Sequence, residues 1–235
     1  GAERRLIGLG TRVVCCALDE ARVAKFVLTP QETVSQYRRL GIDLGRVAWS
    51  PCPGDVLESA RILRRRSLAS VQMAYLRHTD FFRLLEVHLE DPCDSEPPFV
   101  SDSLESAQTL PLAGRPWFLQ SRALTVQNAL IGANRERQQE ILDLVLDCVA
   151  ALGERGIQDK TYNFLDNFGL CDGSVFPLDA GELEFGDQSE AGLCVDRILA
   201  SDSFRTLKSC APWLGGYFAA GLASLEAKRV TPRGP

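Results

Sequence analysis

Between Gly156 and Gly181 the chain sets three oxygen-bearing side chains in one short run, Asp159, Asn167 and Asp179. An Asp172-Gly173 pair separates the last two, and such a pair favours a tight hairpin turn. The turn and its strands would carry Asn167 and Asp179, twelve residues apart, onto one wall of a cleft. The apolar run Val175-Phe176-Pro177-Leu178 reads as a buried strand that ends by aiming the Asp179 carboxylate at that cleft. Hard cations such as Mg²⁺ take oxygen ligands. Asp179 is therefore the best single candidate for a metal ligand, with a turn-capping Asp as the structural alternative; for Asn167 the alternative is an ordinary turn Asn. Asp166 has Lys160 as an expected ion-pair partner.

The surrounding pattern must position these groups. Runs at 6–10, 12–18 and 22–28 read as strands, with a polar turn at Asp19-Glu20-Ala21 between the last two. Thr29-Pro30-Gln31-Glu32 is a helix start in which Thr caps, Pro takes the first helical position and Glu32 returns a bond to the cap. That helix should stop at Gly41. After a loop at Trp49–Gly54, a helical pattern runs from Asp55 to His78, with Val56, Ala60, Leu63, Leu68, Val71 and Tyr75 on its apolar face and His78 closing it. Leu84–Leu89 alternates like a strand in which His88 is structural, and 91–109 has the composition of a surface insertion. Trp117–Ala123 is a strand leading into a connector, and Asn134–Leu152 is a helix with Ile141, Leu142, Val145, Leu146 and Val149 inward. Residues 193–227 read as two helices. The expected class is α+β, with domains 1–124 and 125–235.

A net charge of -5 weighs against generic nucleic-acid binding, and Arg64-Arg65-Arg66 reads as a solvated helix face. Eight cysteines include no Cys-x-x-Cys pair, and only His78 and His88 could supplement them, so a zinc site is poorly supported. Reduced, mostly buried thiols in a cytosolic compartment are the expectation. Gly1-Ala-Glu-Arg-Arg leads straight into a strand-like run, so no leader is expected. The apolar stretch Ala211–Leu225 is shorter than the roughly 20 residues a bilayer span needs, and reads as a core helix. There is no Gly-x-x-x-x-Gly-Lys-Ser/Thr loop, Gly-x-Ser-x-Gly elbow or His-Glu-x-x-His motif.

Taken in order, Gly8-Leu-Gly10, Val23-Ala24-Lys25, Phe118-Leu-Gln-Ser-Arg122, Gly156-Ile-x-Asp159-Lys160, Asn167-Phe-Gly169 and Leu178-Asp-Ala-Gly181 resemble the protein-kinase-like fold over most of the chain. The pattern is similar to small bacterial proteins of kinase-like type with a Gly-Ile-x-Asp-Lys … Asn-Phe-Gly … Ile-Asp-x-Gly signature. The resemblance implies a two-lobed fold with a β-rich N-lobe and a reduced helical C-lobe, binding ATP and Mg²⁺. In that scheme Gly8 and Gly10 cover the phosphates and Lys25 pairs with them. Asn167 and Asp179 hold the metal, and Asp159 orients a hydroxyl for transfer. Glu58 is the expected acidic partner of Lys25, because Glu32 is taken by the helix cap.

The pattern also departs from the family's. Val13 replaces the third glycine, and Asp159 precedes Asn167 by eight residues rather than five, with Tyr162 at the fifth position back. Ile157-Gln158 stands where His-Arg is usual, twelve residues rather than thirteen separate Asn167 from Asp179, and no Ala-Pro-Glu motif follows Gly181. The alternative is therefore an inactive pseudokinase serving as a protein-interaction module, through the 91–109 insertion or the long basic-faced helix. A third reading is an α+β protein with no nucleotide site.

Overall fold

Gly10 lets the chain reverse after its first strand, its N–H donating to the Val13 carbonyl at 2.9 Å. The computed structural model describes residues 6–47, 50–90, 114–181, 183–186 and 194–230. It divides into two units, Gly1–Arg122 and Ala123–Pro235. The architecture is α+β with the larger sheet in the N-terminal unit. Trp49 and the segment 91–109 lie outside the described residues.

In the first unit, β1 (Leu6–Leu9), β2 (Val13–Ala17) and β3 (Arg22–Val27) form an antiparallel meander. The second turn is set by Asp19, whose carboxylate accepts the Ala21 and Arg22 N–H groups at 2.9 and 2.7 Å. The capping box forms as the sequence predicts. In α1 (Pro30–Arg39), Thr29 Oγ1 accepts from Glu32 N, and Glu32 accepts from Thr29 N. Past the helix, Gly41 takes φ +74°, a conformation glycine adopts without the Cβ penalty. Asp55 caps α2 (Val56–Phe82) by accepting the Glu58 N–H at 2.9 Å.

The sequence ends α2 at His78, but the helix continues to Phe82 through a kink at His78 (φ -143°) and closes on left-handed Arg83. Nothing in the residue pattern marks that continuation, since the helical hydrogen bonds resume after the kink. β4 (Leu84–His88) and β5 (Trp117–Ser121) complete a sheet of order β1-β2-β3-β5-β4. One face of this sheet carries the cluster Val14, Cys16, Ala24, Phe26, Leu28, Trp117 and Leu119. His88 is structural, stacked on Trp117 at 4.3 Å and bonded to Glu86 at 2.7 Å.

The second unit opens with β6 (Leu124–Thr125) and α3 (Val126–Leu130), then α4 (Arg135–Glu154), capped by Asn134. All five α4 residues expected inward are buried. β7 (Ile157–Asp159), the one-turn helix α5 (Phe164–Asn167), β8 (Phe168–Cys171), β9 (Ser174–Pro177) and β10 (Leu183–Phe185) follow. They pair antiparallel as β6-β8-β9 and β10-β7.

The two helices expected over 193–227 are three: α6 (Val195–Ala200), α7 (Asp202–Cys210) and α8 (Pro212–Val230). Ser201 ends the first and caps the second, accepting the Phe204 N–H at 3.2 Å, while Pro212 starts the third. Leu214, Phe218 and Leu222 of α8 are buried, and α8 packs on α4. A Cβ at Gly221 would stand 2.3 Å from Leu146 Cδ1, so the two helices approach at a glycine. Among the described residues no helix is long and apolar enough to cross a membrane.

Candidate functional site

β7 delivers Asp159 into a buried position, 4% exposed, opposite Leu183 of β10. Its Oδ1 accepts the Thr161 N–H (2.8 Å), the Thr161 hydroxyl (3.0 Å) and the Tyr162 N–H (3.0 Å). These bonds hold Tyr162, itself buried, at φ +45°, the left-handed region that a bulky residue rarely enters. Burial pushes the Asp159 carboxyl above the usual carboxylate range. The three hydrogen bonds pull it down, and the negative charge of Asp179 adds to the rise.

The hairpin that brings Asn167 and Asp179 together forms as the sequence predicts. Asp172 (φ +49°) and Gly173 (φ +71°) make the turn between β8 and β9, the double positive φ of a type I′ hairpin. The last ladder pair is Phe168 opposite Pro177. The Leu178 N–H then donates to the Asn167 carbonyl at 2.6 Å, so the residue before Asp179 is bonded to Asn167. Asp179 Oδ1 accepts the Gly181 N–H at 2.8 Å, which fixes the carboxylate at the strand's end. Gly169 is required by space, since a Cβ there would lie 2.6 Å from Ala123 Cβ and 2.7 Å from Leu178 Cδ2.

Asp159, Asn167 and Asp179 thus belong to one locality of one unit. Their oxygens are hard donors, the chemistry Mg²⁺ selects, and a cation there would offset the mutual repulsion of the two carboxylates. Two or three protein ligands suit Mg²⁺, which keeps waters or phosphate oxygens in its remaining positions. Among the described residues there is no group of three or more His, Cys, Asp or Glu side chains placed to hold a metal ion. Lys160 pairs with Glu184 across β7 and β10 at 3.1 Å instead of with Asp166, which accepts from Asn163.

In the first unit, Gly8, Cys15, Lys25 and Phe118 stand in one row across the sheet. Directly opposed residues share a face, and alternation along β3 puts this row on the side away from Ala24 and Phe26. Lys25 is buried, its ammonium 5.9 Å from the Phe118 ring centroid. Gly10 lies in the turn, with the Val13 carbonyl 3.3 Å from where its Cβ would be.

Both acids considered as partners of Lys25 are engaged elsewhere. Glu58 bonds Arg61 (3.4 Å) and Arg65 (3.1 Å). Glu32, besides its cap, receives Arg115 through two parallel bonds of 2.6 and 2.7 Å. Burial alone would push the Glu32 carboxyl up; Arg115 and the Thr29 donors outweigh it and hold the group below its ordinary range. Arg115, 83 residues away in the chain, escaped the sequence reading because no local pattern links the two.

The Arg64-Arg65-Arg66 triplet divides: Arg65 and Arg66 are exposed, while half-buried Arg64 donates to the Leu28 carbonyl at 3.0 Å. None of the described cysteines is in a disulfide, and of them only Cys16 and Cys148 are buried, fewer than expected. Cys15, Cys52, Cys171 and Cys194 are half-buried, and Cys210 is exposed.

No family model matches the chain, and no curated protein matches it. Among solved structures, a co-crystal structure of WbdD with the kinase inhibitor LY294002 matches with a TM-score of 0.46 and 11% identity, over 94% of this chain and 44% of that one. A crystal structure of WbdD matches with a TM-score of 0.47 and 12% identity, over 95% of this chain and 46% of that one. The chain spans less than half the length of these WbdD chains.

Proposed function

We propose that the chain binds ATP with Mg²⁺ and transfers a phosphoryl group to a hydroxyl acceptor. Lys25 pairs the phosphates, and Gly8 and Gly10 leave room for them. Asn167 and Asp179 hold the cation, whose charge neutralises phosphate oxygens when it is bound. Asp159 orients the acceptor hydroxyl and takes its proton. The observation that supports this most is that Asp159 lies near enough to Asp179 to feel its charge, while the residue before Asp179 is bonded to the Asn167 carbonyl. Glu58 drops out of the scheme, because Arg61 and Arg65 occupy it.

Calorimetric titration with ATP, with and without Mg²⁺, tests the reading. Mg²⁺-dependent binding is expected, weakened about tenfold or more by Asp179→Ala and by Lys25→Ala. No binding at millimolar nucleotide rejects it.

A second reading is a nucleotide-binding module without transfer, acting on a protein partner. It is favoured by the interval between Asp159 and Asn167, eight residues where the resembled pattern has five, which puts Tyr162 at the position of the base. Binding without turnover supports it, and turnover abolished by Asp159→Ala eliminates it.

A further inference from the structure

The eight-residue interval between Asp159 and Asn167 is closed by α5, a helix of four residues. So short a helix does not persist unaided, and its first N–H groups need acceptors. Its own N-cap residue supplies none: Asn163 (φ -78°, ψ 62°) makes no side-chain capping bond. The acceptor comes from a distant part of the chain. Ser203, the second residue of α7 and 2% exposed, accepts the Leu165 N–H on its hydroxyl oxygen at 3.0 Å and donates its proton to Asn163 Oδ1. Asn163 Nδ2 in turn donates to Asp166 at 3.2 Å. α7 is itself anchored by the Ser201 cap and by Phe204 against Phe218, whose ring also meets Phe164 of α5 at 4.8 Å.

We infer that Ser203 is a positioning residue for the proposed cation site, an inference that rests on the functional reading above. One buried hydroxyl caps α5 from outside and ties its N-cap residue. It thereby sets where Asn167, at the helix's other end, stands relative to Asp159. The three residues by which this interval exceeds the five of the resembled pattern are absorbed in a turn that Ser203 holds. Replacing the hydroxymethyl group by a methyl leaves the Leu165 N–H and Asn163 Oδ1 without their partner in a buried place.

The test compares Ser203→Ala and Asn163→Ala with the wild type by thermal unfolding, by amide exchange at Leu165, and by ATP affinity with and without Mg²⁺. Ser203→Ala is expected to lose protection at Leu165 and about tenfold of the affinity gained from Mg²⁺. Its Mg²⁺-free affinity should stay within about twofold of wild type. Asn163→Ala leaves Ser203 free to cap Leu165, and is expected to lose about threefold of the Mg²⁺ gain. Equal loss with and without Mg²⁺, or an unchanged Mg²⁺ gain in Ser203→Ala, overturns the inference and leaves the functional reading intact. If Ser203→Ala does not fold, Asn163→Ala decides: an unchanged Mg²⁺ gain overturns the inference. A wild type with no Mg²⁺-dependent ATP binding removes the functional reading and this inference together.

Discussion

Glu32 in the first unit is half-buried and Asp159 in the second is buried, and the two carboxylates are treated in opposite ways. Glu32 in the first unit meets a guanidinium in a two-bond fork, keeps its capping bonds and is held below its ordinary range. Asp159 in the second unit receives backbone N–H groups and a hydroxyl, lies near a second carboxylate and is held above its range. Fork pairing joins the start of α1 to the residues just before β5 and secures the fold. An acid left buried among neutral donors and another acid costs stability at neutral pH, and such a cost is characteristic of sites that await a ligand. Both carboxylates are placed by local turns; the charge brought to each from elsewhere separates their roles.

The contrast breaks most sharply at Arg115. Arg115→Ala should cost about 3 kcal/mol in urea unfolding at pH 7, since it strands a partly buried charge. Adding Glu32→Gln should recover part of that loss. A cost under about 1 kcal/mol would reduce the pair to a surface ion pair.

Gly169→Ala comes next, at about 2 kcal/mol in the same measurement, because its Cβ meets Ala123 and Leu178 with little room to move. Asp159→Asn should separate chemistry from folding. Where turnover is detectable, kcat falls about a thousandfold. Its Tm should exceed that of the wild type at pH 8, with a difference that shrinks toward pH 4. The sign follows from the raised folded-state pKa: the wild type begins to lose stability as pH rises past the unfolded value of about 3.9, and the loss persists above the folded one.

Glu32 carries the opposite sign. Its depressed folded-state pKa gives stability that is present above the unfolded value of about 4.3 and lost as pH falls through the folded one. Glu32→Gln should therefore flatten the acid limb of the stability curve. The smallest effect is in thiol labelling: Cys210, on the surface, should react with Ellman's reagent in the native state. Cys16, buried and pushed up to about 11, should react only on unfolding.

What the sequence disclosed, and what it hid, follows the range of the interactions. The α1 box and the Asp172-Gly173 turn each depend on residues no more than three apart, and both form. The apolar face of α4 is equally plain, since 3.6-residue periodicity over twenty residues leaves little ambiguity. By contrast α5, β7 and β10 are three or four residues long and owe their form to partners far along the chain. The Ser203 hydroxyl and the Arg115 fork were hidden for that reason. The candidate acids were visible because their types and order are unusual; their burial and hydrogen bonding were not.

The inverted backbone of Tyr162 is maintained by the same oxygen atom, Oδ1 of Asp159, that serves both Thr161 donors. The turn therefore leans on one edge of that carboxyl alone, and its shape depends on a single atom.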